Sequence, residues 1–183
     1  MFPTIRTAAL AFTLALTPAF AAENPMVGGA PMFADRNIVE NAVNSADHTT
    51  LVAAVQAAGL VEALQGAGPM TVFAPVNAAF DALPAGTVET LLKPENLATL
   101  QRILTSHVVA GNLSGAEIMR RARASRDGFF HMETLSGAPL SAQVRGRSLF
   151  IYDQSGNAGR VTISDVNQSN GVIHVVDTVL LPR

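Results

Sequence analysis

Two apolar runs far apart in the chain constrain its fold more than any other feature: TVFAPVNAAF, from Thr71 to Phe80, and GVIHVVDTVLLP, from Gly171 to Pro182. Neither is long enough to span a bilayer as a helix, which takes ~20 apolar residues. Thr71, Val72 and Phe73 suit a buried pleated backbone, and Pro75 closes the strand because it cannot donate to a ladder. Asn77 then predicts the cap of a short helix with Phe80 and Leu83 on one face. In the second run Asn170-Gly171 predicts a tight turn before Val172, Ile173, Val175 and Val176. Strand alternation places His174 on a face with Val172, Val176, Thr178 and Leu180, and Asp177 on the other with Ile173, Val175 and Val179. Both faces are mostly apolar, so this strand reads as central and covered on both sides.

Between and around these runs the pattern changes once. Short helices are predicted over Asn37 to Ala42, His48 to Leu64, from a Thr87 cap, along Leu97, Leu100 and Leu104, and from a Ser114/Glu117 capping box. From Glu133 onward short strands alternate with turn residues at Gly137, Gly146, Gly156-Asn157 and Asn170-Gly171. Helices first and strands later predict an α+β fold with an antiparallel sheet system. Phe73-Ala74-Pro75 followed by Asn77-x-Ala79-Phe80, and Gly171-Val-Ile-His-Val-Val-Asp177, resemble the two signature segments of the fasciclin domain family. The resemblance implies a compact β-sandwich-like wedge of short strands with helices packed against it. On it Phe73, Pro75, Asn77, Phe80, His107, Gly171 and His174 are structural signature positions.

Arg6, the apolar stretch Thr7 to Leu16 and Ala19-Phe20-Ala21 read as a cleaved secretory signal, residues 1–21. Residues 22–33 mix Pro and Gly and read as a flexible linker, and 34–183 as the fasciclin domain. The expected location is therefore secreted or periplasmic. With no cysteine, a disulfide framework is excluded. Without Arg6 the chain carries 11 basic and 14 acidic side chains, 11 − 14 = −3, which argues against nucleic acid as a partner.

Enzyme patterns are missing. No two of His48, His107, His131 and His174 lie three or four residues apart, so no local metal-ligand spacing exists, and no Gly-x-Ser-x-Gly elbow is present. The expectation is a protein that is not an enzyme, with no metal and no cofactor. His174 reads as a hydrogen-bonded core residue rather than a ligand. His107 occupies the place of a Tyr-His motif in the family, with Ser106 standing where the tyrosine would be.

Two surfaces compete for a binding role. The resemblance points to Asp165-Val166, which matches the place of an Asp-Ile dipeptide tied to integrin contacts in animal relatives, with Asn167, Asn170 and Asp177 as neighbours. An exposed turn on a rigid strand suits recognition. The alternative is the basic cluster Arg120, Arg121, Arg123 and Arg126, which either binds an acidic polysaccharide or headgroup or is a solvated helix end. Phe129-Phe130 are either core or a docking patch beside these arginines. The resemblance implies a secreted binding domain for adhesion to a cell-surface or matrix protein or polysaccharide, with homo-oligomerisation as an option. The alternatives are a carrier of an apolar small molecule such as a carotenoid or lipid, and an envelope module without a ligand.

Overall fold

A computed structural model describes residues 24–182, so the expected signal peptide lies outside the described residues. The described residues begin with a hairpin, β1 (Met26–Val27) and β2 (Ala30–Pro31), within the segment expected to be a flexible linker. Gly28 and Gly29 both take positive φ and close the turn, and Val27 and Met32 enter the core. Two buried side chains hold this segment down, which corrects the linker reading.

Helix α1 (Ile38–Ala42) carries a complete capping box, with Asn37 and Glu40 each bonding the other's main chain. The single helix expected over His48 to Leu64 is instead α2 (Thr49–Ala57) and α3 (Val61–Gln65), broken at Gly59, whose φ of +66° ends a right-handed helix. Strand β3 (Met70–Pro75) follows, then α4 (Asn77–Asp81), α5 (Thr87–Leu91), α6 (Leu97–Thr105), β4 (Val108–Ala110) and α7 (Gly115–Ala124). In α6 Leu100, Ile103 and Leu104 are buried. Asn77 does not cap its own helix: its Oδ1 accepts from Thr50 N–H at 3.0 Å and so caps α2, while its amide donates to the Ala46 carbonyl at 2.9 Å. The Ser114 hydroxyl does cap α7, but the Glu117 carboxylate turns to arginines rather than completing the box.

Five strands close the chain: β5 (Phe129–Glu133), β6 (Pro139–Arg145), β7 (Ser148–Tyr152), β8 (Ala158–Gln168) and β9 (Gly171–Val176). They join β3 and β4 in one seven-stranded sheet of order β4-β3-β9-β8-β7-β6-β5. Val109 bridges Thr134, and Leu135 N–H donates to the Val108 carbonyl at 2.8 Å, so the sheet curls until its first and last strands touch. The α+β class and the wedge-like, sandwich-like packing agree with expectation.

One pairing does not. β3 and β9 run parallel, with Phe73 opposite His174, whereas an antiparallel system was expected. The two apolar runs of the sequence are thus central neighbours. On the helix side Val72, Val175 and Ile173 pack with Val27, Ile38 and Met32. Inside the curl Phe73, Val176 and Leu180 meet Ile118 of α7 and Leu140 and Ile151 of the opposite strands. Each such side chain stabilises the fold by about 1.5–3 kcal/mol relative to exposure.

Candidate functional site

The parallel contact of β3 and β9 brings most of the signature residues to one junction. The Phe73 and His174 rings stack at 5.6 Å between centroids. Opposite His174, the register of β8 slips between Ile163 and Val166, and Asp165 takes φ +60° there. The slip leaves the Asp165 N–H without a ladder partner, and it donates to His174 Nδ1 at 3.3 Å. His174 Nε2–H donates to the Leu113 carbonyl at 2.8 Å, which fixes the neutral tautomer. The Asp165 carboxylate accepts from Gly115 N–H at 2.7 Å and so neutralises an orphan donor at the start of α7. Thr71 Oγ accepts from Leu113 N–H and donates to the Gly111 carbonyl. Segment 111–115 is therefore anchored to the sheet by three side chains, Thr71, His174 and Asp165.

His107 does the same work at the other end of β3. Its Nδ1–H donates to the Ile103 carbonyl at 2.8 Å, and Nε2 accepts from Leu180 N–H at 2.9 Å. Complete burial pushes its pKa down to about 4, against smaller opposing contributions from the Ile103 carbonyl and Asp153. Burial likewise lowers His174, with the Leu113 carbonyl and Asp165 opposing it. Both imidazoles are neutral bridges between main-chain segments at pH 7. Among the described residues no three His, Asp or Glu side chains converge as a metal-binding group.

Val166, expected at an exposed contact turn, is fully buried in the core. Asp165 is half-buried and engaged as described. The turn itself is Ser169-Asn170, with Gly171 already in the strand. Asn170 pins helices beneath it, donating to the Leu64 and Gly66 carbonyls and accepting from Ile38 N–H. Asp177 is exposed, and its Oδ1 accepts from Arg160 N–H at 2.8 Å. Asn167 is exposed too, but it pairs with Val172 at one end of β9 while Asp177 follows the other end. These five residues do not form one contact patch, because strand periodicity and the bulge send them inward, outward and to opposite ends. Asp165→Ala is expected to lower stability by about 1–2 kcal/mol in urea unfolding, with Asp165→Asn losing less because Asn keeps an acceptor and tolerates positive φ. Unchanged stability in Asp165→Ala would contradict this capping role.

In the basic cluster Arg120 and Arg121 both bind the Glu117 carboxylate, at 2.7 and 2.6 Å, while Arg123 and Arg126 are exposed. The cluster is split by its own acid. Phe129 and Phe130 separate by strand alternation: Phe130 packs against the core inside the curl, and Phe129 lies on the outer face.

Sequence reasoning missed one feature. Between the helices and the sheet lies an apolar cavity of about 100 Å³, bordered by Val55, Leu64, Val72, Val166, Ile173 and His48. His48 Nδ1 bonds the Ser45 hydroxyl at 2.8 Å, while Nε2 is buried with no partner at bonding geometry. Burial lowers its pKa too; the neighbouring Ala74 carbonyl and Asp47 oppose that. The cavity is made from α1, α2, α3 and α6, the hairpin and the sheet, so no local pattern announces it.

A curled mixed sheet with helices packed on both faces, its signature histidines neutral and bonded to backbone, defines the domain's frame. The Fasciclin domain profile matches residues 46–182, and this chain belongs to the fasciclin domain family. It is 48% identical over 145 residues to Protein sll1483 of Synechocystis sp., covering 79% of this chain and 73% of that protein. It is 37% identical over 146 residues to Immunogenic protein MPB70 of Mycobacterium bovis, covering 77% of this chain and 66% of that one. Cell surface glycolipoprotein MPB83 of the same species is 36% identical over 169 residues, covering 89% and 69%. A FAS1 domain pair from the insect cell adhesion molecule fasciclin I shares the fold, with TM-score 0.57, 20% identity, and coverage of 69% of this chain and 42% of that one.

Proposed function

We propose that this chain is an exported, non-catalytic binding domain that attaches to a component of the cell surface or matrix. The observation that carries the reading is the use of His107 and His174: each commits both ring nitrogens to main-chain atoms, so the polar groups of the signatures support the scaffold and leave recognition to its surface. Similarity to a cell surface glycolipoprotein and to a cell adhesion molecule supports it. Among the described residues no helix is long and apolar enough to cross a membrane. The test is saturable co-sedimentation of the mature protein with envelopes of its host. Mass spectrometry of that protein should give an N-terminus at Ala22 or Glu23. Failure to sediment above an unrelated protein of equal size would end the attachment reading, and an intact Met1 would end the cleaved-signal reading.

The cavity favours a second reading, carriage of an apolar small molecule, since dry apolar cavities accept apolar guests. Protein purified from its host should then show a ligand absorption band or yield one apolar compound on solvent extraction. A clean extract and a featureless visible spectrum would remove this reading.

A further inference from the structure

We propose that the outer face of β5, β6 and β7 is a binding platform for an acidic polysaccharide. The proposal rests on the attachment reading and names its partner. Helix α7 covers the other side of these strands, with Ile118 packed among Met132, Leu140 and Ala142 and Ala122 buried. On the outer side, register aligns Phe129, Gln143, Phe150 and Arg160 in one row and His131, Ser141, Tyr152 and Ala158 in the next. None of these eight is buried, and three are aromatic.

The rings are held in place. Phe129 meets Tyr152 edge-on at 5.6 Å and stacks on His131 at 6.2 Å. The Tyr152 hydroxyl and Arg145 Nε both donate to Gln143 Oε1, at 3.2 and 2.9 Å. His131 is fixed by the Ser141 hydroxyl and the Asp127 carboxylate. The Arg145 guanidinium lies 5.5 Å from the Phe150 centroid and 5.3 Å from that of Tyr152. Such a face is pre-organised, so little side-chain entropy is lost on binding.

Charge selects the occupant. The mature chain is net negative, yet this face carries Arg145 and Arg160, with Arg147 in the adjoining β6–β7 turn, and all three are exposed. Among the described residues none of the three is ion-paired. At the outward positions of β5–β7 the only acid is Glu133, at the far end opposite Pro139, while at the margins Asp127 is engaged by His131 and Asp177 by the Arg160 main chain. Guanidinium groups take carboxylates in bidentate pairs, and aromatic faces attract the weakly positive C–H faces of pyranose rings. Strands ~4.8 Å apart set these groups at a spacing suited to successive sugar units of an extended chain. Among the described residues neither Arg123 on α7 nor Arg126 just beyond it has an aromatic ring in cation–π range, unlike Arg145.

Polygalacturonate is the probe, in affinity electrophoresis with the mature protein, and dextran is the neutral control. Retardation by polygalacturonate and not dextran is expected. Arg145→Gln with Arg160→Gln should weaken it about tenfold, and Phe150→Leu, which keeps an apolar side chain, about fivefold. Arg123→Gln with Arg126→Gln should leave it unchanged. Circular dichroism establishes that each variant is folded, and Arg147→Gln in the turn gives a second test if a strand variant is not. Equal retardation by poly-L-glutamate would reduce the effect to charge, and tighter binding of oligodeoxythymidylate would reassign the face to single-stranded nucleic acid. Either overturns the proposal, as does loss confined to the Arg123/Arg126 variant or no retardation of the wild type. If the Arg145/Arg160 variant loses polygalacturonate but still sediments with envelopes, attachment stands and the platform is not its site. If wild type binds polygalacturonate but not envelopes, attachment fails and the platform remains.

Discussion

Lowering the pH from 7 to 4 is expected to remove about 3 kcal/mol of folding stability through His107 alone. Its pKa is depressed from 6.5 to about 4 in the fold, so the unfolded chain binds a proton across that window and the native state does not. The contribution is fully present above pH 6.5 and is lost as pH falls from there toward 4. His48 and His174 are shifted in the same direction and add to the loss. A domain of this kind has a net stability of roughly 5–15 kcal/mol, so the fold should lie near its limit at pH 4. The carboxylates held below their ordinary range, Glu117 and Asp127, begin to lose their contribution only as pH falls into the ordinary carboxylate range, so the change between pH 7.5 and 5 belongs mainly to the histidines. Urea titrations at pH 7.5, 6, 5 and 4.5 would measure this. A flat profile over that range would show that these histidines are not buried neutral bridges.

Gly171→Ala is expected to destabilise by more than about 4 kcal/mol, a loss confined to few mechanisms. Gly171 pairs with Met70 in the parallel ladder, and a Cβ there would overlap the Met70 carbonyl oxygen. The obstacle is main chain, so no side-chain rotamer relieves it, and β3 and β9 would have to separate. That seam carries Phe73 against His174 and both core clusters. Thermal unfolding of the variant should show a collapsed midpoint or no folded baseline. A wild-type midpoint would mean that the strands approach less closely than they do here. Glycine is needed at this position for the neighbour it touches, although the sequence presents it as part of a turn.

Residue patterns local to a few turns of chain were legible. The helix at Asn37 to Ala42, the burial of Leu100 and Leu104 in α6 and the alternation along β9 each depend on contacts within one element and formed as their spacing predicts, whereas Leu97 at the start of the α6 stripe is exposed. Phe73, Phe80 and His174 were recognisable as core because apolar neighbours surround them at the right period. Where the reading failed, a distant partner won. Asn77 caps α2 rather than α4, Val27 and Met32 convert a Gly-rich segment into a packed hairpin, and Asp165 turns toward Gly115.

By itself the sequence determined most of the helices, the two strands that carry the signature segments and the buried character of the signature histidines, because propensity and periodicity are properties of short windows. Only the tertiary structure decided that those strands lie side by side in parallel, since such a pairing needs a long crossover and leaves no local mark. It also decided which exposed residues share a face. Phe129, Phe150, Tyr152 and Arg145 come together because three strands align in one register, and register is set by hydrogen bonds between segments, not within them.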